Sequence, residues 1–314
     1  MSRLGLGLLQ VGLLVAAAPL CSAWCARLRA WFQRRQGAAL SRPYANLWKL
    51  FAKEDLRPPG SSPVFAAAPR VLFLGTCLAA AVLPVWQASA LLQSPADFFL
   101  LAGGLALARF ALSLGAFDSG GAFAGMGASR EALVATLAEG PLLLALTALA
   151  LVTGHSSLSA IAAATQQQPL VPISPVRLLA LASLAMIALA EAGRIPVDNP
   201  TTHLELTMIH EAMVLDYSGP SLAWIEWAAS LRLLLLLTLI GNVFFPWGMA
   251  AGAGGLAAGW AVAAWAAKIA LLATVVALVE ACLAKLRMYA VPEYLGIAAA
   301  LAALAVVFTA LPWS

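Results

Sequence analysis

Residues 191–220 read EAGRIPVDNPTTHLELTMIHEAMVLDYSGP and gather nine ionisable side chains: Glu191, Arg194, Asp198, His203, Glu205, His210, Glu211, Asp216 and Tyr217. Acids such as Glu191, Asp198 and Glu205 could carry protons, because a proton path needs successive titratable groups. Arg194 keeps its proton and suits a clamp on a carboxylate rather than a carrier. His203 and His210 with a nearby acid invite a metal reading. They are seven residues apart, two helical turns, or about 10 Å along the axis, too far to share one ion. A polar helix held against partner subunits accounts for them better, and no metal site is expected.

The rest of the chain sets this cluster in relief. Of 314 residues, 62% are hydrophobic and only 10% are charged, with a mean hydropathy of +0.91. A soluble domain carries about a quarter charged residues, and this chain has too few polar groups to cover a water-facing surface. A soluble enzyme, a disordered chain and a nucleic-acid-binding domain are excluded. The expectation is a single all-α polytopic membrane domain over residues 1–314. Its eight spans fall near 4–24, 71–93, 98–117, 133–154, 174–192, 226–247, 254–283 and 294–312, most of them about the 20 apolar residues that cross a bilayer; the seventh is longer than needed and Gly- and Ala-rich at its start, as a tilted or broken helix would be. The first could be a cleaved leader, but its apolar run is long and the basic stretch follows it, which favours a retained helix.

Basic residues orient the spans. Of 18 Lys and Arg, nine lie between Arg27 and Arg70, and Arg130, Arg194, Lys285 and Arg287 fall in loops on the same side. The other side has Arg3 and Arg177. The positive-inside rule then puts the 25–70 and 192–225 loops in the cytoplasm and both termini on the periplasmic side of the inner membrane. Within the first loop, Leu47, Trp48, Leu50 and Phe51 alternate with Lys49, Lys53 and Glu54, the pattern of a short amphipathic helix on the membrane surface, ended by Pro58–Pro59–Gly60. Its role is to set topology or, together with Arg34 and Arg35, to dock a peripheral subunit.

Ionisable groups inside spans are costly and need a reason. Glu139, Glu191, Glu226, Glu280, Arg109, Arg232 and Lys268 all fall within or at the ends of the predicted spans. Interhelical ion pairing, for instance of a Glu with Arg109 or Lys268, and a proton or ion relay through Glu139, Glu191, Asp198, Glu205 and Glu280 both fit. Cys21, Cys25, Cys77 and Cys282 form no CxxC pair and read as small apolar residues. With only three histidines, the chain is not expected to hold a redox cofactor itself.

At 191–200 the chain resembles the subunit-1 (H-subunit) family of respiratory complex I and its relatives in the membrane-bound group 4 NiFe hydrogenases. The pattern E-x-x-R-x-P-x-D-x-P is met at Glu191, Arg194, Pro196, Asp198 and Pro200, followed by Glu205 and Leu206. The first loop resembles the family at Pro43, Ala45, Leu47, Lys49, Leu50, Lys53 and Glu54. The stretch before the fourth span does so at Gly127, Ser129, Arg130, Glu131 and Glu139. Thr201 and His203 stand where the quinone-reducing members carry acids, which is similar to the formate hydrogenlyase and hydrogenase-4 branch. The resemblance implies a non-catalytic membrane-anchor and energy-coupling subunit of an oxidoreductase complex. Hydrogenase-like small and large subunits would hold the iron–sulfur clusters and any Ni–Fe centre, and antiporter-like membrane subunits would move H⁺ or Na⁺. Arg130, Arg194, His203, His210, Glu211, Asp216 and Tyr217 would form ion pairs and shape the loop. The alternative is a quinone-binding member of the same family, as in NADH:quinone oxidoreductase. A self-contained transporter would be expected to show an internal repeat, and none is evident.

Overall fold

A computed structural model of the chain describes residues 3–92, 97–167, 174–198, 208–250 and 255–310. His203 and Glu205 lie outside the described residues, as do Pro200, Thr201, Thr202 and Leu206. In chain order the helices are α1 (Arg3–Phe32), α2 (Arg42–Phe51), α3 (Pro63–Val82), α4 (Asp97–Asp118), α5 (Ala122–Thr153), α6 (Leu158–Gln167), α7 (Pro175–Glu191), α8 (His210–Val214), α9 (Gly219–Val243), α10 (Gly255–Cys282) and α11 (Val291–Thr309). Among the described residues the only β contact is an isolated bridge between Gln87 and Ala250. The fold is all-α.

Each of the eight predicted spans contains a helix, although the second, 71–93, is helical only to Val82. Seven are long and apolar enough to cross a membrane; α7, with 17 residues, lies at the lower end of that range. α10 is continuous over 28 residues despite its Gly- and Ala-rich start. Several boundaries differ from expectation for local reasons. α3 stops at Val82 because Leu83 precedes Pro84 and takes an extended backbone. α5 begins at Ala122, just after Gly120–Gly121, so Arg130 and Glu131 are helical rather than in a loop. α9 begins at Gly219–Pro220, which places Glu226 inside the helix rather than at its start. α2 ends at Phe51, well before the Pro58–Pro59 turn. The polar helix expected around His203 and His210 is helical in its described part only from His210.

Small residues hold the bundle together. A Cβ added at Gly75 of α3 would meet the Gly104 carbonyl of α4 at 3.0 Å, and one at Gly104 would meet Gly75 likewise. Close backbone approach is how apolar helices gain contact where lipid offers no hydrophobic drive. Gly127 of α5 does the same for the 208–214 segment, since its Cβ would meet Ala212 Cβ and the Ile209 carbonyl at 2.8 Å. α2 lies on α9 through Leu47, Leu50 and Ala223, with Lys49 and Lys53 outward; Trp48 is also exposed.

Candidate functional site

The buried charges converge where α4, α5, α7 and α9 meet, at the face carrying the loop after α7. Arg109 lies on the inward side of α4 beside Leu105, Ala108 and Leu112, and its side chain is 3% exposed. Its Nη1 donates to Glu191 Oε1 at 2.5 Å and its Nη2 to Glu139 Oε1 at 3.0 Å. Glu191 is the last residue of α7, where the negative end of the helix dipole disfavours a carboxylate. Two arginines offset this: Arg109 on the side chain, and Arg232 of α9, whose Nη1 donates to the Glu191 carbonyl at 3.2 Å. Glu191 Oε2 and Arg109 Nε are buried without a partner among the described residues. Glu139 differs from the rest, because 41% of its side chain is exposed on the flank of α5.

A second set of ties holds the loop to its surroundings. Arg194 Nη1 donates to Glu280 Oε1 at 3.0 Å, and Arg29 Nη1 reaches Glu280 Oε2 at 3.4 Å. Arg194 is thus a clamp, joined by an arginine of α1. Burial works against the Arg194 charge, but the charge and hydrogen bond of Glu280, together with the nearby Cys25 and Cys21, outweigh it and leave the guanidinium above its ordinary value. Asp198 accepts from Lys285 Nζ at 2.7 Å and from the His210 backbone N–H at 3.1 Å. Arg130 Nη1 donates to the Met208 carbonyl at 3.0 Å, and the Leu286 N–H to the Pro196 carbonyl at 2.8 Å.

Three cavities with shared walls lead to the cluster. The innermost, about 20 Å³, is lined by Glu131, Glu191, Asp198, His210 and Arg232, and has room for one water. The next, about 150 Å³, shares Asp198 and His210 and adds Arg194, Glu211 and Glu226. The outermost, about 360 Å³, shares Glu226 and Ser230 and opens among Ser22, Arg42 and Asn46 of α1 and α2. Between the first two stands half-buried His210. Burial, then the Arg232 charge, lower its value to about 4 against the pull of Asp198, so the ring is neutral at ordinary pH.

The expected site residues therefore divide. Glu139 and Glu191 share Arg109; Asp198, His210 and Glu211 line the cavities; Glu280 and Arg194 form the outer clamp. Tyr217 stands apart, stacked on Phe65 of α3 at 4.1 Å, its phenol pushed above the usual range by burial. Asp216 lies against Gly121. Arg34, Arg35, Lys49, Lys53 and Glu54 are exposed on the α1–α2 segment. Lys268 pairs with no carboxylate among the described residues: it donates to Asn242 Oδ1 at 2.7 Å and to the Phe245 carbonyl at 3.0 Å, tying α10 to the chain around the end of α9. Glu131 in the inner cavity and Arg29 on Glu280 were not expected as site members. Glu131 had a signal in its place eight residues before Glu139 on the same helix, whereas nothing near Arg29 marks its partner.

The family model described as NADH dehydrogenase matches residues 5–310. Formate hydrogenlyase subunit 4 of Escherichia coli (strain K12) is 32% identical over 288 residues, 91% of this chain and 92% of that one. Hydrogenase-4 component C of the same organism is 30% identical over 77% of this chain and 76% of its own length. An NADH-quinone oxidoreductase subunit of Rhodopseudomonas palustris (strain ATCC BAA-98 / CGA009) is 27% identical over 70% of this chain and 71% of its own length. Among solved structures, a chain of the membrane-bound sulfane sulfur reductase, an archaeal respiratory membrane complex, superposes with a TM-score of 0.85 over 97% of this chain and 98% of its own. Its identity is 19%, so that likeness is one of fold.

Proposed function

This chain belongs to the NADH dehydrogenase family, and from that membership we propose that it is the membrane-anchor and energy-coupling subunit of a group 4 hydrogenase-like or formate hydrogenlyase-like complex. One observation carries the reading. Arg109 and Arg232 face Glu131, Glu139 and Glu191, two cations against three carboxylates; Arg109, Arg232 and Glu191 are buried, and Glu131 and Glu139 are partly exposed. Such a set is neutral when it holds one proton and carries one negative charge when it does not. A charge change in the loop beside it shifts that balance, each pKa unit being worth about 1.4 kcal/mol. Half-exposed Glu139, inside a span, supports an exit toward a neighbouring membrane subunit, because lipid is a poor environment for a carboxylate.

In this reading the 25–70 and 192–225 segments face the cytoplasm, and both termini face the periplasm across the inner membrane. Arg34, Arg35, Lys49, Lys53 and Glu54 dock hydrogenase-like small and large subunits. Those partners hold the iron–sulfur clusters and any Ni–Fe centre, while antiporter-like subunits move H⁺ or Na⁺. Asp198, Glu205 and Glu280 extend the relay at the loop. In the assembled complex, Glu139→Gln and Glu205→Gln should each lower ion transport while electron transfer to soluble acceptors survives. Unchanged transport in both would leave only ion pairing.

Quinone binding is a second reading, favoured by two cavities. The outermost polar one adjoins α1 and α2, and an apolar one of about 240 Å³ lies between α1, α9 and α10, lined by Leu20, Trp24 and Trp265. Inhibition of turnover by a quinone analogue would select it.

A further inference from the structure

Arg177 lies in the first turn of α7, after the Ser174 cap and Pro175, at the opposite end of that helix from Glu191. It is 2% exposed, and its Nε and Nη1 are buried without an acceptor among the described residues. The position adds to the cost. The first helical turn is the positive end of the dipole and favours anions over a guanidinium, and a helical side chain there points back toward that end. Among the described residues the acids of the charge cluster are at the other face. Asp97, the buried acid at this end of the bundle, accepts from Ser157 at 3.0 Å.

α11 packs antiparallel to α7, as Ser183 Oγ donates to the Ala298 carbonyl at 2.8 Å and Tyr294 Oη to the Met186 carbonyl at 3.0 Å. Six residues back along α7 corresponds to six onward along α11, which sets Arg177 level with Leu304, about a turn short of Thr309. Leu178, Leu304 and Val307 are exposed apolar side chains at this depth. An unpartnered buried cation and exposed apolar side chains of α7 and α11 thus lie at one depth near this rim of the bundle. The geometry points to a glycerophospholipid site here: the Arg177 guanidinium takes the phosphodiester, and the acyl chains run over Leu178, Leu304 and Val307. A rotamer change that lets the long stem snorkel toward the rim brings the guanidinium to the headgroup.

The test uses the full chain in its complex, delipidated in dodecyl maltoside, with phosphatidylglycerol or inorganic phosphate added back. Phosphatidylglycerol should raise the Tm of the wild type by a few degrees, as binding to the folded state requires. The rise should vanish in Arg177→Gln and persist in part in Arg177→Lys, and inorganic phosphate should not reproduce it. An equal rise in wild type and Arg177→Gln overturns the site; the same rise with inorganic phosphate assigns it to a free anion and overturns the lipid. Should Arg177→Gln not accumulate, the wild type alone decides by native mass spectrometry. A retained phospholipid supports the site, and a lipid-free chain with no response to phosphatidylglycerol overturns it.

Discussion

Arg109 is the residue on which the cluster turns, since one guanidinium serves carboxylates from two other helices. Removing one partner of a buried ion pair leaves uncompensated charge and costs about 3–5 kcal/mol. Arg109→Met should therefore lower the thermal stability and yield of the complex sharply. Arg109→Lys should recover only part, because a point charge on a flexible stem cannot engage both acids as a planar fork does. His210 gives a pH signature. Its folded value of about 4 lies below the usual one near 6.5, so the neutral ring is favoured in the folded chain. Its contribution is complete above about pH 6.5 and is lost as pH falls toward 4, by at most about 1.4 kcal/mol per pH unit and less for a half-buried ring. Melting curves across that window should flatten in His210→Gln. The sequence disclosed Arg109 and Glu139 as charges needing partners inside spans, and the clamp role of Arg194 was legible from its chemistry. Lys268 was not, because its partners include a backbone carbonyl that no residue type announces.

At the scale of elements, the site depends on how closely helices approach. Gly75→Leu should push α3 from α4, where even a Cβ meets the Gly104 carbonyl at 3.0 Å, and overpacking of this kind costs about 1–3 kcal/mol. Gly127→Leu should act differently: it displaces the 208–214 segment from α5 and so disturbs His210 before it disturbs the bundle. Hydrogen exchange in that segment, compared with α3 and α4, would separate the two effects. Span positions were legible because apolar length alone sets them. Ends were less so. A membrane helix continues into water where local sequence permits, as α5 does back to Ala122, and stops early where an X-Pro step forbids it, as α3 does at Val82.

For the whole molecule, two charge sets lie at one face: the Arg109 cluster within the bundle, and the Glu280 and Asp198 ties that hold the loop above it. Basic-residue placement predicts that face to be cytoplasmic. With exposed Cys282 replaced by Ser and the peripheral subunits stripped away, a cysteine introduced at Lys49 should react with impermeant thiol reagents only from the inside of right-side-out vesicles, and labelling from the outside would invert the topology. Composition made the membrane class plain, and motif spacing marked the 191–200 segment. Neither could reveal that Glu139 and Glu191 share one arginine, since that contact joins α4, α5 and α7 across long stretches of chain. The coupling proposal meets its most direct test in the ratio of ions moved to electrons transferred by the complex in sealed vesicles. With Glu191→Gln that ratio should fall several-fold while electron transfer to soluble acceptors stays near the wild-type rate. An unchanged ratio would contradict a relay through the Arg109 cluster.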